Sequence, residues 1–270
     1  MAISVVTEYT NLDKFFFYFF LPAIAALTVA GNRYYFKSKK PQASTFGITK
    51  EIIFGDLIVI LLVILVILFL YFYVLELDLF KSARWEMLTL ISFIFLTFFI
   101  GAGVGAHVAA VSIRKLFDPA IKNGQEIARA INFFHYPFSH QLLFIPGLLA
   151  FYLISLLDLF KGRSLELHLY QIIMIILCGF VLGSIAGILF IVTKCHKFIL
   201  PALAVLTISL IFVSLSEVRS LLIHPVAFLL TTAYMTSTIG ILIYKQTRVN
   251  FRPRVKRWVK KWWQWDIDYL

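Results

Sequence analysis

Charge is scarce in this chain: 14% of its 270 residues are Asp, Glu, Lys or Arg, against 61% hydrophobic. Globular domains average about 25% charged and about 45 to 50% apolar residues. A water-soluble fold of this composition would leave much apolar surface in contact with water, and that class is excluded. Cysteine is scarce too. Cys178 lies inside an apolar run and Cys195 beside a basic turn, so neither a disulfide nor a redox pair is expected, and Cys195 reads as an ordinary thiol or a palmitoylation site. With 4 Met and no Cys-x-x-Cys, copper or zinc would have only an inner cluster of His135, His140 and His196 as ligands. A phosphate-binding loop, His-Glu-x-x-His, Gly-x-Ser-x-Gly and paired acidic motifs are all missing, which makes an enzyme the minority expectation.

In place of charge the chain has length of hydrocarbon. Apolar runs at 15–32, 55–76, 86–113, 141–158, 168–193, 198–215 and 219–244 each match the roughly 20 residues that carry a helix across about 30 Å of lipid. The expected fold is an all-α integral membrane protein, with seven transmembrane helices in 1–245 and a basic, Trp-rich tail in 246–270. No basic segment precedes the first run, and Arg33, Lys37, Lys39 and Lys40 follow it, so it reads as a retained span rather than a cleaved signal. On one side of the proposed membrane lie 19 of the 25 Lys and Arg, in 33–50, 114–129, 194–197 and 245–261. By the positive-inside rule this puts the amino terminus outside and the carboxyl terminus inside, and it suits a prokaryotic plasma membrane. The net charge of +11 is then explained by an anionic inner leaflet, and nucleic acid is not an expected partner.

Two pentads, Leu77-Asp78-Leu79-Phe80-Lys81 and Leu157-Asp158-Leu159-Phe160-Lys161, stand 80 residues apart. The same offset superposes Phe54 on Phe134, Glu86 on Glu166, Gly103 on Gly183 and Arg114 on Lys194. Each half reads as a helix going out, a short acidic turn and a Gly-rich helix coming in, a parallel repeat of hairpins. Small residues let helix backbones approach. Gly101, Gly103 and Gly105 of the third run and Gly179, Gly183 and Gly187 of the fifth therefore predict that these two spans pair. Pro22, Pro146, Pro201 and Pro225 fall early in their spans, where each bends a helix.

Inside the runs no Asp, Glu, Lys or Arg lies deep, which argues against an ion-driven transporter and a charge-lined pore. Histidines remain. Pairing His107 with His140 near the inner surface and His168 with His224 near the outer one gives the ligation pattern of a di-haem electron carrier, the alternative reading and the one cofactor it implies. The last run also carries a polar face, His224, Thr231, Tyr234 and Thr238, that must turn inward as a binding or passage wall or as interhelical hydrogen bonds. In the tail, Trp258, Trp262 and Trp265 fall on one helical face opposite Lys260 and Lys261, and Pro253 is expected to separate this interfacial helix from the last span. A short inner-surface helix beginning at Asp118-Pro119 has the same amphipathic character. The leading functional expectation is non-catalytic: small-molecule transport or binding, or membership of a larger membrane complex.

Overall fold

The computed structural model describes residues 9–37, 58–75, 85–116, 124–161, 164–216 and 221–263. Among these there is no strand. In chain order the helices are α1 (Asn11–Phe15), a π turn (Phe16–Phe20), α2 (Leu21–Lys37), α3 (Val59–Val74), α4 (Trp85–Leu116), α5 (Gly124–Phe133), a second π turn (Phe134–Phe138), α6 (Ser139–Lys161), α7 (Leu169–Val192), α8 (His196–Ser216), a 3-10 turn (Leu221–Ile223) and α9 (Pro225–Trp263). Six stretches are long and apolar enough to cross a bilayer: Asn11–Gly31, Met87–Ile113, Ser139–Phe160, Leu169–Val192, His196–Leu215 and Pro225–Gln246. They fit a polytopic membrane protein. α3 is equally apolar but has 16 residues, and the rest of the 55–76 run lies outside the described residues, as do the 77–81 pentad, the Asp118-Pro119 helix start and Trp265.

The first helix starts at a reciprocal cap. The Asp13 amide donates to the Thr10 hydroxyl, and the Asp13 carboxylate accepts from the Thr10 amide at 2.8 Å, so two groups that lipid would leave unsatisfied serve each other. Two apolar clusters follow. One joins Phe16 and Phe17 to Leu70 and Tyr73 of α3, Ile154 of α6, Ile175 of α7 and Leu229 of α9. The other joins Leu148 and Leu159 of α6 to Leu203 and Leu210 of α8 and Ala227 and Tyr234 of α9. α6 and α9 thus serve both clusters and form the centre of the bundle.

The glycines do not pair the third span with the fifth. α4 lies along α6 and α7 along α9. A Cβ at Gly103 would come within 2.9 Å of the Leu143 amide and the Ser139 carbonyl of α6. One at Gly179 would meet the Thr232 side chain of α9 at 2.8 Å, and one at Gly183 would collide with the Ala233 carbonyl. A Cβ at Gly187 would stand 3.5 Å from the Ser237 backbone, whereas at Gly101 and Gly105 it would meet nothing within 4 Å among the described residues. The prediction took both glycine sets as halves of one interface, although each had a different partner.

Two proline readings also change. Pro225 is the first residue of α9, the position where a missing amide hydrogen costs nothing, and so it starts a helix instead of bending one. Pro253 does not separate the tail, because α9 runs through it to Trp263. At 1.5 Å per residue this helix is about 58 Å long, nearly twice the hydrocarbon thickness. Trp258, Lys260, Lys261 and Trp262 belong to that continuous helix.

Candidate functional site

Polar groups gather at three levels of the bundle. At the end where α6 stops and α7 and α9 begin, Asp158 is 2% exposed. Its Oδ2 accepts the amide hydrogens of Val226 and Ala227 at 2.9 and 2.8 Å. Those two groups are in the first turn of α9, which would otherwise have no acceptor in lipid. Pro225 cannot cap its own helix and His224 precedes it, so the cap comes from another helix. His224 Nδ1 lies 3.9 Å from Asp158 Oδ1, and both side chains are buried. The Leu165 amide donates to the Ile223 carbonyl at 2.9 Å, tying the two neighbouring turns together.

The amino-terminal segment joins this end. Asp13 is fully buried and accepts the Tyr73 hydroxyl at 2.8 Å, and the two rings of Phe16 and Tyr73 stack at 4.4 Å. The Tyr9 hydroxyl reaches the Glu166 carbonyl at 2.8 Å and Gln171 Oε1 at 2.6 Å. Burial raises the Tyr9 phenol above its ordinary pKa, so it stays protonated as a donor. His168 stacks between Tyr9 and Tyr170, each ring 5.9 Å away.

In mid-bundle the polar face of α9 turns inward. The Tyr234 hydroxyl donates to the Leu148 carbonyl of α6 at 2.6 Å, and the Ser237 hydroxyl to the Gly183 carbonyl of α7 at 2.7 Å. Thr231 and Thr238 hydroxyls are buried with no hydrogen-bond partner among the described residues. Ser237, which the sequence pattern passed over, is therefore as much a part of this face as Tyr234.

At the other end His107, His135 and His140 come together, with ring centroids 4.5, 5.0 and 5.8 Å apart. The Ser139 hydroxyl lies 3.5 Å from His107 Nδ1 and donates to the His135 carbonyl. His107 also hydrogen-bonds the backbone of His135. His196 packs edge-on against Tyr244 at 5.6 Å. The sequence grouping of His135, His140 and His196 as metal ligands is not reproduced: among the described residues no group of three or more His, Cys, Asp or Glu is arranged to hold an ion.

Haem does not fit the histidine positions. Two axial imidazoles must stand on opposite faces of a macrocycle. His107 and His140 are in ring contact with each other, and His135 fills the remaining side, which leaves no slot between them. His168 and His224 do not face each other, since one is stacked among tyrosines and the other is set beside Asp158.

Cys195 is buried, its thiol directed at the Thr193 carbonyl at 3.5 Å, and burial pushes its pKa up. That position suits neither palmitoylation nor thiolate chemistry. Lys194 just before it holds φ 61°, the left-handed conformation that a long side chain adopts at some cost.

Sequence reasoning overlooked Asp158, Asp13 and Ser139. Two of them left signals: Asp158 is the acidic second residue of the repeated pentad, and Thr10-x-x-Asp13 is a capping-box spacing. Comparison with protein-family models, with curated proteins and with solved structures finds no match to this chain.

Proposed function

We propose that this protein is a non-catalytic membrane-embedded subunit that assembles with another membrane helix through α4. The observation that carries the reading is the outward face of that helix. Gly101, Gly105 and Ala109, spaced by four, are exposed, and among the described residues no other element lies within 4 Å of where a Cβ would stand at either glycine. Ile94 and Phe98 continue the same face at 62% and 68% exposure. In lipid, helices associate through close backbone packing at small residues and not through hydrophobic burial. The inward glycine of α4, Gly103, already serves α6, while the outer pair meets no other helix among the described residues. The mid-bundle hydrogen bonds support the same reading, because Tyr234 and Ser237 on the polar face of α9 are occupied in joining α6 and α7.

The full reading has seven spans, with α3 as the second, the amino terminus outside, and the basic end of α9 at an anionic inner leaflet of a prokaryotic plasma membrane. It also takes the α3–α4 and α6–α7 hairpins as a parallel repeat. In support, the equivalent glycines Gly103 and Gly183 are each a point of close backbone approach on their helix. Transport or binding of a small molecule is the second reading, favoured by the buried, unpartnered hydroxyls of Thr231 and Thr238 on one face of α9.

Native mass spectrometry of the protein purified from its own membrane in mild detergent tests the assignment. A stoichiometric second polypeptide is expected, and Gly101→Ile with Gly105→Ile should release it while the thermal unfolding midpoint of the chain stays within a few degrees. A solitary chain in wild type and variant alike would sink the subunit reading in favour of transport.

A further inference from the structure

A groove of ≈ 350 Å³ opens between α6 and α8, lined only by apolar side chains, among them Ile145, Leu148 and Leu149 of α6 and Pro201, Ala202 and Val205 of α8. We propose that it holds one acyl chain of an anionic phospholipid whose headgroup phosphate is met by Lys194 and Lys197 at the start of α8. Three observations bear on this. The first is depth. Pro201 lies five residues and Val205 nine residues beyond His196, the first residue of α8, which at 1.5 Å per residue places the groove about 7 to 14 Å into the bilayer. Ile145 and Leu149 lie six and ten residues beyond the start of α6 at Ser139, so both walls sit within the half-bilayer, about 15 Å deep, that begins at the lysines.

The second is charge. Lys194 and Lys197 are both exposed at the mouth, where each cation near anionic lipid adds roughly 1 kcal/mol of attraction. The third is that the groove makes no demand for polar groups. The carbonyl of Leu148, one of the lining residues, is already taken by the Tyr234 hydroxyl at 2.6 Å. Such a lining selects a hydrocarbon chain, and the pair of lysines selects the charge of its headgroup. Lys194 keeps its place at φ 61°, where Gly or Asn would be less strained.

The test is native mass spectrometry of the full chain in micelles doped with phosphatidylglycerol or with phosphatidylcholine of the same acyl composition. One phosphatidylglycerol per chain is expected to survive activation that strips phosphatidylcholine. Lys194→Asn, which tolerates the left-handed backbone, combined with Lys197→Gln should cut that preference about thirtyfold. Ala202→Trp, which fills the groove, should lower retention of both lipids. As a measurement independent of any variant, phosphatidylglycerol with a photoreactive acyl chain should label peptides containing Ile145–Leu149 or Pro201–Val205. Equal retention of the two lipids by the wild type, labelling elsewhere, or a stoichiometric polypeptide cross-linked through position 202 would overturn the proposal.

Discussion

Asp158 shows how one residue can set the end of a helix it does not belong to. A carboxylate buried near hydrocarbon is costly unless its charge is met. Here two amide hydrogens from the first turn of α9 meet it, and the positive end of the helix dipole adds to their effect. The cost of removal runs both ways, because the amides would lose their acceptor in a place where water cannot replace it. We therefore expect Asp158→Ala to destabilise the folded chain by about 2 kcal/mol, the sum of a lost cap and newly unsatisfied donors. Asp158→Asn keeps one acceptor oxygen and should cost about half as much by the same reasoning. Unfolding in mixed micelles measures both, and an unchanged midpoint for the alanine variant would show that the cap contributes nothing.

At the scale of helices, the bundle is decided by where backbones can touch. Gly183→Ala would force its methyl into the Ala233 carbonyl, so α7 and α9 must separate, and the Ser237 hydrogen bond to the Gly183 carbonyl at 2.7 Å must lengthen with them. A loss of about 1 to 3 kcal/mol is expected, as for overpacked cores. Gly101→Ala and Gly105→Ala enter open space and should not lower the stability of the isolated chain. Equal losses at all three positions would mean that helix propensity or flexibility, and not contact, governs the response.

These helices show what could be read in advance. The six long apolar stretches were legible because lipid demands length and composition, properties that are local in sequence. The inward turn of the α9 polar face was legible for the same reason, since hydroxyls spaced by three and four have to avoid lipid. Partner choice was not legible. Gly179 and Gly183 announce a smooth helix face, but Thr232, Ala233 and Thr236, which they meet, carry no complementary mark. The mutual cluster of His107, His135 and His140 depends on the π turn at Phe134–Phe138, a geometry that an aromatic run with a proline does not specify, and the metal and haem groupings were drawn by depth alone.

At the scale of the whole molecule, the direction in which the bundle crosses is measurable because its own thiols are buried. Cys178 and Cys195 are 7% and 2% exposed, and burial holds the Cys195 thiol in its protonated, unreactive form. The natural sequence should therefore take up almost no membrane-impermeant maleimide, and single added cysteines can be read against it. Asn11 and Leu222 lie exposed at the end of the bundle where α9 begins, and Arg129 and Gln246 lie exposed at the other. Because Lys and Arg are concentrated at the second end, it should face the cytoplasm. In intact cells Asn11→Cys and Leu222→Cys should label within minutes, while Arg129→Cys and Gln246→Cys should label only after the membrane is permeabilised. The reverse pattern would turn the protein over, and with it would move the anionic lipid expected at Lys194 and Lys197 to the opposite leaflet. Labelling of all four in intact cells would mean that the helices do not seal one side from the other, and would remove the basis for assigning an inner and an outer end at all.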